Sequence, residues 1–164
     1  MNRFKTTLAC GSLLLALALP VQAQQAADNT KGNVEKQAWT EAFAEQKADS
    51  FASAMAEDIV LEAATLMKPV QGVEHVKVVM EAASSYYVYC NFTSQATQGN
   101  KTYLEWEVLT HSGLKMNGVT VLTKNDKGQL AHVSIHHRPL HQAIIFSREM
   151  GKRVEGKVPI DHFY

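Results

Sequence analysis

The stretch from residue 86 to residue 138 constrains the fold more than any other part of the chain. It contains segments in which apolar and polar residues alternate, which is typical of strands with one face in a core. Turn-forming residues, each group with a glycine, separate these segments at 98–100, 112–113 and 125–128. We therefore predict a meander of four antiparallel strands, over residues 86–95, 102–110, 118–123 and 130–137.

Helical spacing of apolar residues predicts three helices before this meander. Trp39 and Phe43 lie on one side of the first helix, and a short second helix is predicted after Asp49, whose carboxylate can cap it. Residues 59–64 are rich in branched apolar side chains and predict a strand. The period changes to that of a third helix after Gly72.

A last helix is predicted after the meander. Pro139 removes a donor from the strand ladder and fits the first turn of a helix, which continues to Gly151. A bent sheet needs a cover on its concave face. We therefore predict an α+β fold in which the N-terminal helices pack on the concave face of a curved antiparallel sheet and leave a cone-shaped pocket. The domain covers residues 34–156, and residues 157–164 form a C-terminal tail.

The first 23 residues have the pattern of a secretory signal peptide, cleaved after Ala23. Arg3 and Lys5 precede an apolar run over residues 8–19. This run is roughly 18 Å long as a helix, too short for a hydrocarbon core of about 30 Å, so we predict no permanent membrane anchor. The protein is therefore expected to be periplasmic or secreted, with residues 24–33 as a flexible polar tail.

The charge and the cysteines exclude several classes of function. Sixteen basic residues balance sixteen acidic ones, so nothing indicates binding to nucleic acid. Cleavage of the leader would remove Cys10 and leave Cys90 as the only thiol, so no intramolecular disulfide is expected. Cys90, beside Tyr87 and Tyr89, is interpreted as a small core residue rather than a nucleophile. No cofactor is predicted.

The order of elements resembles the nuclear transport factor 2-like superfamily, close to its SnoaL-like group. The resemblance spans about residues 34–156 and rests on the helix at 39–43, the helix-to-strand join at 55–61, the turn at 69–72 and the strand end at 135–140. It implies a cone-shaped, cystatin-like roll and a homodimer through the outer face of the sheet. The superfamily includes isomerases, dehydratases, epoxide hydrolases, polyketide cyclases and non-catalytic modules, so the fold does not choose an activity.

The best-known chemistry of this superfamily does not transfer to these residues. The resemblance places the carboxylate base of the ketosteroid isomerase-like members near Ala63 and their phenolic donor near Trp39. Their protonated acid falls near Gly118 or Val119. None of these positions has the required group. The Asp-Arg-Asp constellation of the limonene epoxide hydrolase-like members also has no counterpart here.

Residues 132–141 contain four histidines. On a strand, His132 and His136 lie about 13 Å apart, and His136 and His137 point to opposite faces, so we predict no metal site. His137 shares a face with Ile135. If that face is the concave one, His137 lies at the rim of the pocket, where a neutral imidazole could act as a general acid or base. The alternative is that His137 only caps the strand end.

Three carboxylates are further candidates. Glu62, flanked by Leu61 and Ala63, could be desolvated with a raised pKa, or it could face solvent in an ion pair, and alternation leaves both open. Glu105 and Glu107 could form an acid/base pair. We expect them on the exposed face instead, because large apolar residues alternate with them.

Two functional hypotheses follow. In the first, an exported protein binds a small, mostly apolar molecule in the conical pocket, with or without acid/base turnover of an isomerase or lyase type by His137 or Glu62. In the second, the protein is a non-catalytic ligand carrier or a protein-interaction module of the cell envelope. The predicted ligand-binding residues are Trp39, Phe43, Tyr87, Trp106, Val121 and Ile135. The direction of His137 and Glu62 relative to the cavity distinguishes the two hypotheses.

Overall fold

The computed structural model describes residues 34–164, so the predicted signal peptide and polar tail lie outside the described residues. Within this range no helix is both long enough and apolar enough to cross a bilayer. The helices are α1 (Ala38–Glu45), α2 (Ala48–Ala52), α3 (Val73–Tyr86) and α4 (Leu140–Arg153), with a short 3-10 helix at Ile160–His162. The strands are β1 (Met55–Ala63), β2 (Val70–Gln71), β3 (Tyr87–Gln98), β4 (Lys101–Thr110), β5 (Lys115–Lys124) and β6 (Leu130–Arg138).

The six strands form one curved, mixed sheet in the order β2-β1-β6-β5-β4-β3. Strands β3 to β6 form the predicted antiparallel meander. Strand β1, however, runs parallel to β6, with Glu62 opposite Ser134 and Ala63 opposite Ile135. The predicted curved sheet is confirmed, and this parallel pair makes it mixed rather than antiparallel throughout. Parallel neighbours need a long crossover, which α3 and the meander provide here.

The start of β1 and the cap of α2 also differ from the sequence prediction. Strand β1 begins at Met55 rather than at residue 59, and its pairing with β6 is irregular between Met55 and Val60. This bulge interrupts the alternation that marks a strand. Helix α2 begins before Asp49, which lies in its first turn, and Lys47 occupies the N-cap without a side-chain hydrogen bond.

The concave face of the sheet is covered by helices from both ends of the domain. The N-terminal helices were predicted to cover it, and α3 packs beside β1. Helix α4 contributes as well, because it packs on β5 and β6. The fully buried side chains between these layers include Ile59, Leu61, Val76, Met80, Leu104, Val108, Leu122, Val133 and Met150.

The last residues, 157–164, are not a tail but part of the packed domain. Phe163 is 5% exposed and forms an isolated bridge with Leu66. The backbone N–H of Tyr164 donates to the hydroxyl of Ser147, which is fully buried in α4. The domain therefore extends beyond the predicted end at residue 156.

Candidate functional site

An apolar cavity lies between the concave face of the sheet and helices α1, α3 and α4. The volume open to the centre of a water molecule is about 40 Å³. The total space not filled by atoms, which includes the open mouth of the cavity, is about 550 Å³. The cavity is therefore narrow, with room for a few water molecules. Aromatic rings form much of its wall, namely Phe43, Tyr87, Phe92, Trp106, Phe146 and Phe163.

Three residues separate this cavity from a more polar recess between α1 and the start of β3. Phe43, Tyr87 and Cys90 line both spaces. The ring of Phe43 packs edge-on against Phe92, with ring centroids 5.5 Å apart, and stacks on Tyr87 at 6.3 Å. Phe43 belongs to helix α1, which is only eight residues long, so this side of the cavity wall is formed by a short helix.

The structure places four of the six predicted ligand-binding residues in the wall: Phe43, Tyr87, Trp106 and Ile135. Val121 is not among them, because its neighbours Thr120 and Leu122 point inward and Val121 lies on the outer face of β5. Strand β5 carries apolar residues on both faces, so alternation alone did not identify the inner one.

Trp39 also lies outside the cavity wall. Its side chain is 2% exposed and packs behind Phe43, with ring centroids 5.7 Å apart, and against Phe51 at 5.6 Å. The position that the resemblance associated with a phenolic donor is therefore a core position here. Three edge-on rings at this spacing stabilise the contact between α1 and α2.

His137 lies in the cavity wall and its side chain is half-buried. Its ring centroid is 5.2 Å from that of Trp106 and 5.8 Å from that of Phe146. Burial lowers the pKa of His137 to about 4, so the imidazole is neutral at pH 7. Its buried Nδ1 has no hydrogen-bond partner.

Glu62 points away from the cavity. Leu61 and Ala63 line the cavity, so the side chain between them emerges on the outer face, where Oε2 lies 3.2 Å from Nε2 of His132. The ion-pair alternative for Glu62 is the one that the structure supports. Glu105 and Glu107 are also exposed on the outer face of β4, as expected.

The remaining polar groups of the wall are neutral or already paired. The indole N–H of Trp106 donates to Oγ1 of Thr120 over 3.0 Å. Burial raises the pKa of the Cys90 thiol to about 12 and raises the pKa of the Tyr87 hydroxyl. No Asp, Glu, Lys or Arg occurs among the described residues that line the cavity.

Sequence reasoning missed part of the wall that helices and loops contribute. Met80 and Phe146 belong to the apolar stripes of α3 and α4 that the sequence indicates. Such a stripe does not identify which of its residues line a cavity and which pack against other side chains. Phe163 was assigned to the tail. In residues 34–164, no three His, Cys, Asp or Glu side chains are grouped so that they could hold a metal ion.

We expect His137 to make the protein less stable as the pH falls from about 6.5 to about 4. In this window the unfolded chain, with an ordinary histidine pKa of 6.5, binds a proton that the folded protein does not, so stability rises with pH. The difference between the pKa values of His137 in the unfolded and the folded protein corresponds to a change of about 3 kcal/mol in the free energy of unfolding. Urea unfolding of wild type and His137→Gln at pH 7.5, 5.5 and 4.5 measures it. The variant should lose less stability than wild type, and the same pH dependence in both proteins would contradict the assignment.

Helices over the concave face of a curved sheet, with a cavity between the layers, define the nuclear transport factor 2-like, cystatin-like fold class. A profile of the SnoaL-like domain matches residues 37–133 of this chain. The chain therefore belongs to the SnoaL-like domain family. His137 and α4 lie beyond the matched residues. No curated protein matches this sequence significantly.

Solved structures show the same fold at low sequence identity. A protein of Silicibacter pomeroyi with a cystatin-like fold has a TM-score of 0.66 and 21% identity, over 71% of this chain and 82% of that one. A steroid delta-isomerase from Pseudomonas aeruginosa has a TM-score of 0.65 and 18% identity, over 75% and 95%. A putative polyketide cyclase from Sinorhizobium meliloti has a TM-score of 0.50 and 20% identity, over 60% and 89%. Likeness at this level establishes the fold alone.

Proposed function

We propose that this protein binds a small, mostly apolar molecule in the cavity between the sheet and the helices. The observation that carries the proposal is the cavity itself, a narrow space among aromatic and aliphatic side chains with a small number of polar groups. Concave apolar sites of this composition are where small molecules bind. Membership of the SnoaL-like family supports the proposal. The names of two structural neighbours, an isomerase and a putative cyclase, also favour a small-molecule site.

Binding without turnover is the better supported form of this function. A general base works best when its pKa is near the working pH, whereas that of His137 is about 4. Protonation of this ring would also place a charge among Trp106 and Phe146. Glu62, the other candidate for acid/base work, is outside the cavity.

Turnover of an isomerase type is the second candidate, and the position of His137 in the wall favours it. Such turnover moves a proton from the carbon next to a carbonyl to another atom of the ligand, and while the base holds this proton it can exchange with solvent. The appearance of deuterium at carbon next to the carbonyl of a bound ketone, followed by NMR in heavy water, measures this exchange. Exchange that His137→Gln abolishes would support turnover, and a bound ketone that does not exchange would support a carrier.

Ligand binding itself is tested by a thermal-shift screen of apolar metabolites on the wild-type protein. A ligand present at 100 times its Kd stabilises the fold by about 2.7 kcal/mol, an easily measured rise in Tm. We expect Ala63→Leu, which narrows the cavity, to abolish the shift. Val121→Leu, on the outer face of the neighbouring part of the sheet, should leave it unchanged. Shifts that persist in Ala63→Leu would place the ligand elsewhere, and no shift in wild type with any compound would count against the proposal.

We also propose that two copies associate through the outer face of the sheet. On this face β6 carries His132 and His136, β4 carries Glu105 and Glu107, and the half-buried Val119 of β5 lies between them. A twofold axis near β5 would set the histidines of one copy opposite the glutamates of the other. Sedimentation velocity of wild type and Val119→Glu tests this, since only wild type should be a dimer.

Export with removal of residues 1–23 is likewise a proposal, supported by the leader pattern of the sequence. The amino-terminal sequence of protein recovered from a periplasmic extract or culture medium tests it. We expect the chain to begin at Gln24. Full-length protein that remains in the cytoplasm would contradict export.

A further inference from the structure

Nδ1 of His137 is a buried polar atom with no partner, set in the wall of an otherwise apolar cavity. The ring is held in place on one side by Trp106 and on another by Phe146. It lies on the same face of β6 as Ile135, which is buried in the same wall. Buried polar atoms in folded proteins are nearly always paired, and the His137 side chain also lines the cavity, so a polar group that enters this space would meet an imidazole without a partner.

The other hydrogen-bonding groups near His137 are engaged or belong to the wall itself. The Trp106 indole N–H is taken by Thr120, so it is not available to a second molecule. Each nitrogen of a neutral imidazole either donates or accepts, according to the tautomer, so the ring suits a hydroxyl or a carbonyl oxygen. The cavity therefore offers few partners to a polar atom of a ligand, among them the hydroxyl of Tyr87 and the imidazole of His137, and of these two His137 carries the buried nitrogen without a partner.

The charge of the wall limits the ligand further. The residues that line the cavity include no acidic or basic side chain other than the neutral His137. An ionised ligand would lose its hydration there and gain no countercharge, which strongly opposes binding. A proton on His137 does not supply the countercharge either, because burial disfavours the charged imidazole.

The small volume of the cavity limits the body of the ligand. About 40 Å³ is open to the centre of a water molecule, whereas an engineered dry cavity that holds benzene measures about 150 Å³. A slender aliphatic chain fits such a space with less displacement of the surrounding rings than a ring system does. The unbranched side chains of Met80 and Met150 line the cavity and can change conformation to make room for a ligand.

We infer that the cavity selects an uncharged, slender apolar molecule with one hydroxyl or carbonyl oxygen, and that this oxygen is hydrogen-bonded by the imidazole of His137. The inference rests on the proposed function, since it concerns the same cavity. It adds the charge, the polar group and the shape of the ligand, and it makes His137 the residue that distinguishes a ligand from a purely apolar molecule of the same size.

The test uses 1-hexanol, 2-hexanone, hexanoate, hexylammonium and pentane, whose binding to the folded protein is measured by NMR titration. Wild type should bind hexanol or hexanone at least about tenfold more tightly than either ion. Comparison of the alcohol with the ketone distinguishes the two tautomers of His137, because a ketone only accepts a hydrogen bond whereas an alcohol also donates one. His137→Phe keeps a ring between Trp106 and Phe146 but has no nitrogen. It should lower the affinity for the alcohol or ketone about threefold to tenfold and leave the affinity for pentane unchanged.

Two matched variants keep this test decisive. His141→Phe makes the same substitution at an exposed position in the first turn of α4 and should bind like wild type. His137→Gln retains a hydrogen-bonding side chain and should recover part of the preference for hexanol over pentane, which a merely structural role for His137 would not predict. Circular dichroism and Tm establish that each variant is folded.

Three outcomes would overturn the inference or its basis. If hexanoate or hexylammonium binds wild type as tightly as hexanol, the inference is wrong while the proposed binding function stands. If His137→Phe binds hexanol with wild-type affinity, the polar group of the ligand lies elsewhere. If neither these compounds nor any larger apolar compound of the thermal-shift screen binds, the proposed function itself fails.

Discussion

Replacing Gly118 by alanine is expected to lower the free energy of unfolding by about 3 kcal/mol, at the upper end of the cost of overpacking a core. A Cβ atom at this position would lie 2.1 Å from the carbonyl oxygen of His136 and 2.6 Å from the ring of Trp106. Trp106 could turn away, but the carbonyl oxygen belongs to the backbone of β6, which pairs with β5 at Gly118 and His137. The clash is therefore relieved only by disturbing the sheet beside the cavity.

Urea unfolding followed by tryptophan fluorescence measures this effect, and Gly151→Ala is the matched control. Gly151 is also buried, but the atoms nearest to a Cβ there belong to side chains: the end of Ile160 at 2.9 Å, which can move, and Cβ of Phe163 at 3.2 Å. Alanine also favours a helix over glycine by about 1 kcal/mol, so this substitution in α4 should be close to neutral. Equal losses in the two variants would show that the approach of β6 to Gly118 is not as close as the structure describes.

Phe163→Ala is expected to cost about 3 to 5 kcal/mol, the usual range for removal of a buried phenylalanine ring. The ring is 5% exposed, lines the cavity and lies against Gly151 of α4. Its removal would also widen the cavity at this end. The variant should therefore be less stable than wild type and bind bulkier apolar ligands.

The neighbouring residue provides the control for Phe163. The Tyr164 side chain is 51% exposed, so Tyr164→Ala should change the free energy of unfolding by no more than about 0.5 kcal/mol. Chemical denaturation of both variants, with the thermal-shift screen repeated on Phe163→Ala, gives the comparison. If the two variants were equally stable, the last residues would be dispensable, as the sequence prediction of a tail implied.

The meander was predictable because its signals are local. Alternation within each strand and a glycine in each turn give the four strands, with ends that differ from the structure by up to three residues. The same reasoning put His137 on the face of Ile135 but left open whether that face is the concave one, and in the structure both residues line the cavity. The face on which Glu62 lies could not be predicted in this way, because β1 carries apolar residues on both faces.

The rest of the site depends on contacts between distant parts of the chain. The parallel pairing of β1 with β6 and the packing of Phe163 against Leu66 join segments that no local pattern relates. The presence of a cavity is also a property of the packed layers, because it is the space left among side chains that each look like ordinary core residues. The sequence therefore predicted which types of side chain form the wall. It did not predict that α4 and the C-terminal residues complete this wall.

The pairing of β1 with β6 has a consequence for the order of events during synthesis. Strand β1 leaves the ribosome early, yet its neighbour opposite Glu62 is Ser134, more than seventy residues later. Contacts of this separation form late and slow the overall folding rate. A nascent chain that ends before residue 130 therefore has β1 without its long partner strand and cannot complete the sheet. Such a delay would keep the edge of β1 accessible to a chaperone while the rest of the chain is being made.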